Sequence, residues 1–143
     1  MRFFFLISLL PFFSLSAQKI ETVQDFEDGA SIKKTTMRSG SSFHSLILEG
    51  GVEIENGKVL GENKLVTLIL WRIGGSRLKA ELDAIESAFE KKETTKLRSS
   101  VISWDEQNQT YTVLNVRGEK LTGVDLEKSM AIRYINWIRE NML

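Results

Sequence analysis

The chain of 143 residues contains no cysteine. This absence excludes disulfide frameworks, thiolate zinc sites, iron–sulfur clusters and cysteine nucleophiles. Histidine occurs once, as His44, so a metal site built from several histidines is excluded as well. We therefore expect neither a metal nor a cofactor, and catalytic chemistry has few residues from which to be built.

The chain also lacks an excess of charge of either sign. It has 19 lysines and arginines and 19 aspartates and glutamates, which gives a formal net charge of zero. The basic residues are scattered among acids, whereas nucleic acids and anionic membranes are bound by concentrated basic surfaces. The composition therefore predicts no nucleic-acid partner.

Residues 1–17 have the layout of a secretory signal peptide. Arg2 supplies a positive charge, an apolar run extends from Phe3 to Phe13, and small residues lead to a cleavage site after Ala17. A membrane-spanning helix needs about 20 apolar residues, more than this run provides. We expect the mature protein to begin at Gln18 and to keep no stable membrane anchor.

The predicted location is therefore the periplasm or the extracellular medium. A small exported domain without disulfides fits a bacterial envelope better than a eukaryotic extracellular space, where small domains are often rich in disulfides. The composition of residues 18–143 predicts one domain.

Within the mature chain, residues 18–43 are mostly polar and predict at most one edge strand, near Ala30–Met37. Residues 44–143 show the patterns of one α+β domain. Gly50–Gly51 predicts a bulge or a tight bend. Val52–Glu55 alternates apolar and acidic residues, which predicts an apolar side facing the core and two glutamates facing solvent. Asn56–Gly57 is typical of a type I′ hairpin turn. Leu65–Ile73 is apolar on both faces and predicts a strand in the middle of the sheet.

Two helices are predicted. The first, near 76–91, has Ser76 as its N-cap. Its apolar stripe consists of Leu78, Leu82, Ile85 and Phe89. The second, near 123–141, follows Thr122 and Asp125, which match a capping box. Its apolar stripe consists of Ala131, Tyr134, Ile135, Ile138 and Met142. Together the patterns predict a twisted antiparallel sheet of about five to seven strands with both helices packed on it.

The turn between the apolar strand and the first helix is a candidate ligand site. Gly74, Gly75, Ser76 and Arg77 would expose backbone N–H groups and one positive charge at a helix N-terminus, where a carboxylate or phosphate can bind. The spacing of these residues matches neither the dinucleotide-binding nor the Walker pattern. Glycine and serine also occur in strand-to-helix turns only because the backbone conformation requires them.

His44 is the second candidate, because it is the only side chain that could act as the base of a histidine-dependent triad. Ser41 and Ser42 precede it, but adjacency in sequence is weak support for a triad. Glu53 and Glu55 are two residues apart on one strand face, at a spacing of about 6–7 Å that a carboxylate pair could use. Solvent-facing glutamates of an amphipathic strand fit the pattern better, and we assign no catalytic residue.

Trp104 is the last candidate. Trp71, Trp104 and Trp137 lie on apolar segments and are expected in the core, but Trp104 ends a strand beside the turn Asp105–Gln109. There its ring could contact a ligand.

These features favour an exported, non-enzymatic binding or accessory domain that recognises a protein, a peptide or a component of the cell envelope. Two alternatives stay open: a structural subunit of an envelope assembly, and a small hydrolase that uses His44 or the Glu53/Glu55 pair. A groove or contiguous apolar patch would favour the binding domain.

Overall fold

The computed structural model describes residues 18–70, 75–97 and 100–142. These residues form an antiparallel sheet of eight strands with two helices, so the predicted α+β class is confirmed. The expected strand number, about five to seven, was too low. Three strands, at residues 18–25, 95–96 and 120–127, lie in segments that the sequence pattern had not assigned to strands. No helix among the described residues is both long and apolar enough to span a membrane.

In chain order the elements are β1 (Gln18–Asp25), β2 (Ser31–Met37), β3 (Ser42–Glu55), β4 (Lys58–Leu70), α1 (Gly75–Glu90), β5 (Thr95–Lys96), β6 (Ser100–Asp105), β7 (Thr110–Arg117), β8 (Lys120–Glu127) and α2 (Lys128–Met142). The strand order is β1-β2-β3-β8-β7-β6-β5, with β4 paired to the other edge of β3. The long strand β3 pairs with β2 along its first half and with β8 along its second half.

The N-terminal segment contains two strands instead of one. β2 begins at Ser31 and ends at Met37, close to the predicted Ala30–Met37. β1 was not predicted; it pairs antiparallel with β2, and its residues are mostly exposed. A strand held mainly by backbone hydrogen bonds has no alternating apolar pattern from which it could be recognised.

β3 and β4 form one long hairpin. Its turn has positive φ angles at both central residues, 51° at Asn56 and 75° at Gly57, as the sequence predicted. The position predicted for Leu65–Ile73 was wrong, because β4 pairs only with β3 among the described residues and lies at an edge of the sheet. On one face of β4, the side chains of Val66, Leu68 and Leu70 are buried in the core.

The C-terminal helix begins later than predicted, at Lys128 instead of near residue 123. Residues 120–127 form β8, which fills the place between β3 and β7. Asp125 does not cap a helix there; it accepts a hydrogen bond of 2.7 Å from the hydroxyl of Thr112 on the neighbouring strand. Pairing on both edges outweighs the local capping signal of Thr122 and Asp125.

Both helices cover one face of the sheet. α1 runs from Gly75 to Glu90, one residue earlier at each end than predicted, and the expected stripe residues Leu82, Ile85 and Phe89 are buried. The stripe predicted for α2 is confirmed in full; its buried residues are Ala131, Tyr134, Ile135, Ile138 and Met142. An ion pair between Arg139 of α2 and Glu86 of α1 joins the helices at the surface.

Candidate functional site

A bulge in β3 determines which of its side chains face the core side of the sheet. Leu46 and Leu48 lie in the core before the bulge, and regular alternation would place residues 52 and 54 on the same side. Gly50 has a φ of 84°, and the register with β4 shifts between Leu48 and Gly51. A shift by one residue exchanges the two faces of a strand.

After the bulge, Glu53 lies opposite Thr122 of β8, two residues from the partly buried Val124 that packs against the core. Glu53 and Glu55 therefore share the side of the sheet that carries the core. The predicted orientation of Val52–Glu55 was wrong, because the bulge turns the apolar residues outward. Ile54 pairs with Val59 and with Leu121 there.

Asn115 of β7 closes the gap between β7 and the outer edge of β4. Its side-chain oxygen accepts a hydrogen bond of 2.7 Å from the backbone N–H of Thr67, and its nitrogen donates one of 2.9 Å to the carbonyl of Thr67. The same nitrogen donates to the hydroxyl of Ser100 at 2.5 Å, and that hydroxyl also donates to the Thr67 carbonyl at 3.3 Å. These three residues fix how closely β4 approaches β6 and β7.

Beside this network lies an open cleft of about 510 Å³, which we call the β4–β7 cleft. Its lining comes from the four strands β3, β4, β7 and β8. The lining residues are Glu53, Lys64, Leu65, Thr67, Ile69, Asn115, Val116, Arg117, Lys120 and Thr122. Leu65 and Val116 are 57% and 46% exposed, so the cleft offers apolar surface as well as charge.

The lining of the β4–β7 cleft carries an excess of positively charged side chains. Glu53 is shared between Lys64 at 4.0 Å and Lys120 at 3.7 Å, and Lys120 also lies 4.0 Å from Glu55. The described residues contain no ion pair of Arg117. Three basic side chains against one carboxylate in the lining favour an anionic ligand.

A second groove, of about 570 Å³, lies between the β1–β2 turn and α2. Its lining residues are Gln24, Asp25, Phe26, Glu27, Arg133, Asn136, Trp137 and Glu140. Phe26 and Trp137 meet edge to face, with ring centroids 6.3 Å apart and planes at 83°. This groove is lined by more acidic than basic side chains, so its net charge is opposite in sign to that of the β4–β7 cleft.

The residues predicted as candidate ligand contacts do not form one site among the described residues. His44 is 6% exposed and lies in the first half of β3, opposite Lys34 of β2 and Leu70 of β4. Gly75 begins α1. Gly74 and the side chains of Ser76 and Arg77 lie outside what the structure describes, so the predicted anion site at this turn stays a prediction.

Trp104 is half-buried, and its ring lies beside two charged side chains. Its indole N–H donates a hydrogen bond of 2.5 Å to Glu106, and Lys92 lies 4.9 Å from the ring centroid. The hydrogen bond from Trp104, and then the charge of Lys92, lowers the pKa of Glu106. The inner part of the ring packs against Tyr111 at 4.7 Å. Trp104 thus connects the core to the charged side chains of Glu106 and Lys92 at the surface. Trp71 lies outside the described residues.

The residues considered for hydrolysis lie apart along β3. His44 pairs with Leu70 near the start of β3, whereas Glu53 and Glu55 pair with Gly61 and Lys58 near its end. His44 and Glu53 are nine positions apart on β3, which corresponds to at most about 30 Å along an extended strand. Across the described parts of the chain, no group of three or more potential metal ligands is assembled.

The chain matches no family model, no curated protein and no solved structure. The cleft itself is therefore the basis for a functional interpretation.

Sequence reasoning singled out Glu53 for a different chemistry, but it missed Asn115, Thr67 and Arg117. Asn115 looks in the sequence like any polar residue of a half-buried strand. The only local signal was Gly50–Gly51, where a bulge was predicted but its effect on the following residues was not.

Proposed function

We propose that this chain is an exported, non-enzymatic binding domain that holds an anionic part of a protein, a peptide or an envelope component in the β4–β7 cleft. The observation that carries the proposal is the excess of basic side chains around a cleft that also has exposed apolar walls. Ligand sites combine apolar surface with a few convergent polar groups in this way.

Rigid strands support the cleft from several sides. Glu53 holds Lys64 of β4 and Lys120 of β8, the strands on either side of β3. Side chains that are already positioned lose less conformational entropy when a ligand binds. Arg117 then supplies a positive charge that no acidic side chain among the described residues neutralises.

Site-specific photocrosslinking in the cells that naturally make the protein tests this proposal. A benzoylphenylalanine at exposed Leu65 should give a defined adduct, whereas the same group at exposed Ile132 on α2 should not. Arg117→Glu should remove the adduct, and the matched charge reversal Lys79→Glu on α1 should leave it. Equal adducts at both positions, or an adduct indifferent to Arg117→Glu, would contradict a binding role for the cleft.

Export has its own test. The protein expressed from its full coding sequence should accumulate outside the cytoplasm with Gln18 as its first residue, because signal peptidase cleaves after a small residue such as Ala17. N-terminal sequencing of the accumulated protein measures this. An N-terminus that still contains Phe3–Phe13 would contradict the proposed location.

A further inference from the structure

We propose that the ligand of the β4–β7 cleft is an acidic segment of extended polypeptide, which pairs with the outer edge of β4 as an additional strand. This inference rests on the binding function proposed above and specifies its partner. Asn115 would hold the place of that strand until the segment binds.

The backbone N–H and C=O groups of three residues on β4 point into the cleft. Both backbone groups of Thr67 point away from β3, because they bond to Asn115. In an antiparallel ladder the direction of these groups alternates along the strand, so Leu65 and Ile69 direct theirs to the same side. All three residues line the cleft, and β4 pairs with no strand but β3 among the described residues.

The carboxamide of Asn115 reproduces one step of strand pairing. A residue on a neighbouring strand would accept from the N–H of Thr67 and donate to its carbonyl, and Asn115 makes both bonds, at 2.7 and 2.9 Å. Asn115 thereby satisfies an edge that would otherwise be open to unwanted pairing. An incoming segment can take over both bonds, and the amide nitrogen of Asn115 keeps Ser100 as a partner at 2.5 Å.

The remaining lining defines the side chains of the segment. Successive side chains of an extended segment point to opposite sides. Those toward β7 and β8 would meet Arg117 and Lys120, whereas Leu65 and Val116 offer apolar contacts. We therefore expect acidic residues to alternate with apolar residues, as in other complexes in which main-chain bonds give affinity and alternate side chains give specificity.

Peptide selection tests the inference. Random peptides of about eight residues, within the usual range of strand lengths, are displayed on phage and selected on the protein expressed from its full coding sequence. The enriched sequences should alternate aspartate or glutamate with apolar residues and should lack proline. Enrichment of basic sequences, or no enrichment, would overturn the inference.

Backbone methylation then separates strand pairing from charge attraction. The best-enriched peptide is made in two isomers of equal composition, with N-methyl groups on alternate residues in one phase or the other. The N–H groups of alternate residues point to opposite edges of a strand, so the methyl groups of only one isomer would block hydrogen bonds to β4. The affinities of the two isomers, measured by fluorescence anisotropy, should therefore differ by about tenfold or more. Equal affinities, whether high or low, would overturn strand pairing and leave the photocrosslinking test of the proposed function untouched.

The variant Asn115→Ala gives a readout that a merely structural role would not produce. Because the peptide no longer has to displace a side chain from Thr67, its affinity should rise by about threefold or more. Asn136→Ala on α2 is the matched control and should leave the affinity unchanged. An unchanged or lower affinity of folded Asn115→Ala protein, checked by circular dichroism, would show that Asn115 does not occupy the strand position.

Discussion

The hydroxyl of Tyr134 in α2 donates a hydrogen bond to the carboxylate of Asp28 in the turn between β1 and β2. Phe26 of the same turn packs edge-on against the Tyr134 ring, with centroids 4.8 Å apart. The turn itself is held by a hydrogen bond of 2.8 Å from the N–H of Phe26 to the carbonyl of Ala30. These contacts attach the N-terminal hairpin to the C-terminal helix.

We expect Tyr134→Phe to lower the free energy of unfolding by about 1.5–3 kcal/mol. A hydrogen bond to a charged group contributes about that much, and its loss leaves the Asp28 carboxylate without this donor. Urea denaturation followed by circular dichroism measures the change. A loss below about 0.5 kcal/mol would mean that the bond adds little to stability.

Tyr111→Phe should behave differently, because the Tyr111 hydroxyl is buried and has no hydrogen-bond partner among the described residues. Its ring packs edge-on against Phe89, with centroids 5.1 Å apart, and phenylalanine keeps that packing. Removing a buried unsatisfied hydroxyl relieves a desolvation cost of about 1–3 kcal/mol. The free energy of unfolding should therefore stay equal or rise, and a clear loss would reveal a partner for this hydroxyl.

Stability should fall as the solution becomes alkaline, in part because of the same tyrosines. Burial, followed by the hydrogen bond to Asp28, raises the pKa of Tyr134 well above its usual value of 10.0, and burial raises the pKa of Tyr111. Above about pH 10 the unfolded chain releases these protons while the folded chain retains them, so the free energy of unfolding decreases with pH.

Urea denaturation between about pH 8 and pH 11 measures this dependence. Tyr134→Phe should show a shallower decrease than the unchanged protein, since lysines titrate in both and cancel in the comparison. Identical slopes would show that Tyr134 ionises equally in the folded and unfolded chain.

Local chemistry made some parts of the fold predictable. The turn at Asn56–Gly57 needs two positive φ angles, which these residues adopt readily, and the structure has 51° and 75° there. The stripe of α2 requires only a period of 3.6 residues, and its members, such as Tyr134 and Ile138, are all buried.

Other parts depended on pairing between distant segments. Residues 120–127 carry a helix-capping signal, yet they form β8 because β3 and β7 pair with both of its edges. Likewise, the direction of Glu53 depends on a bulge whose effect is visible only once β8 is placed. The candidate cleft was missed for this reason: its lining comes from two pairs of strands, β3–β4 and β7–β8, that are far apart in sequence.

Gly51 of β3 and Gly123 of β8 lie close together, and Gly51 should be the more sensitive of the two to substitution. A methyl group at Gly51 would come within 2.9 Å of the carbonyl oxygen of Gly123 and within 2.9 Å of a methyl group of Val66. The backbone oxygen cannot move without disturbing the β3–β8 pairing. We expect Gly51→Ala to lower the free energy of unfolding by about 1–3 kcal/mol.

Gly123→Ala is the matched control. A methyl group there would come within 2.6 Å of a terminal methyl of Leu114, whose flexible, half-buried side chain can turn away. Alanine also loses less conformational freedom than glycine on folding, which offsets about 0.5–1 kcal/mol. Urea denaturation should therefore show a much smaller loss for Gly123→Ala. Equal losses would mean that contact with Leu114 is as rigid as contact with the backbone, and that the bulge does not need glycine at position 51.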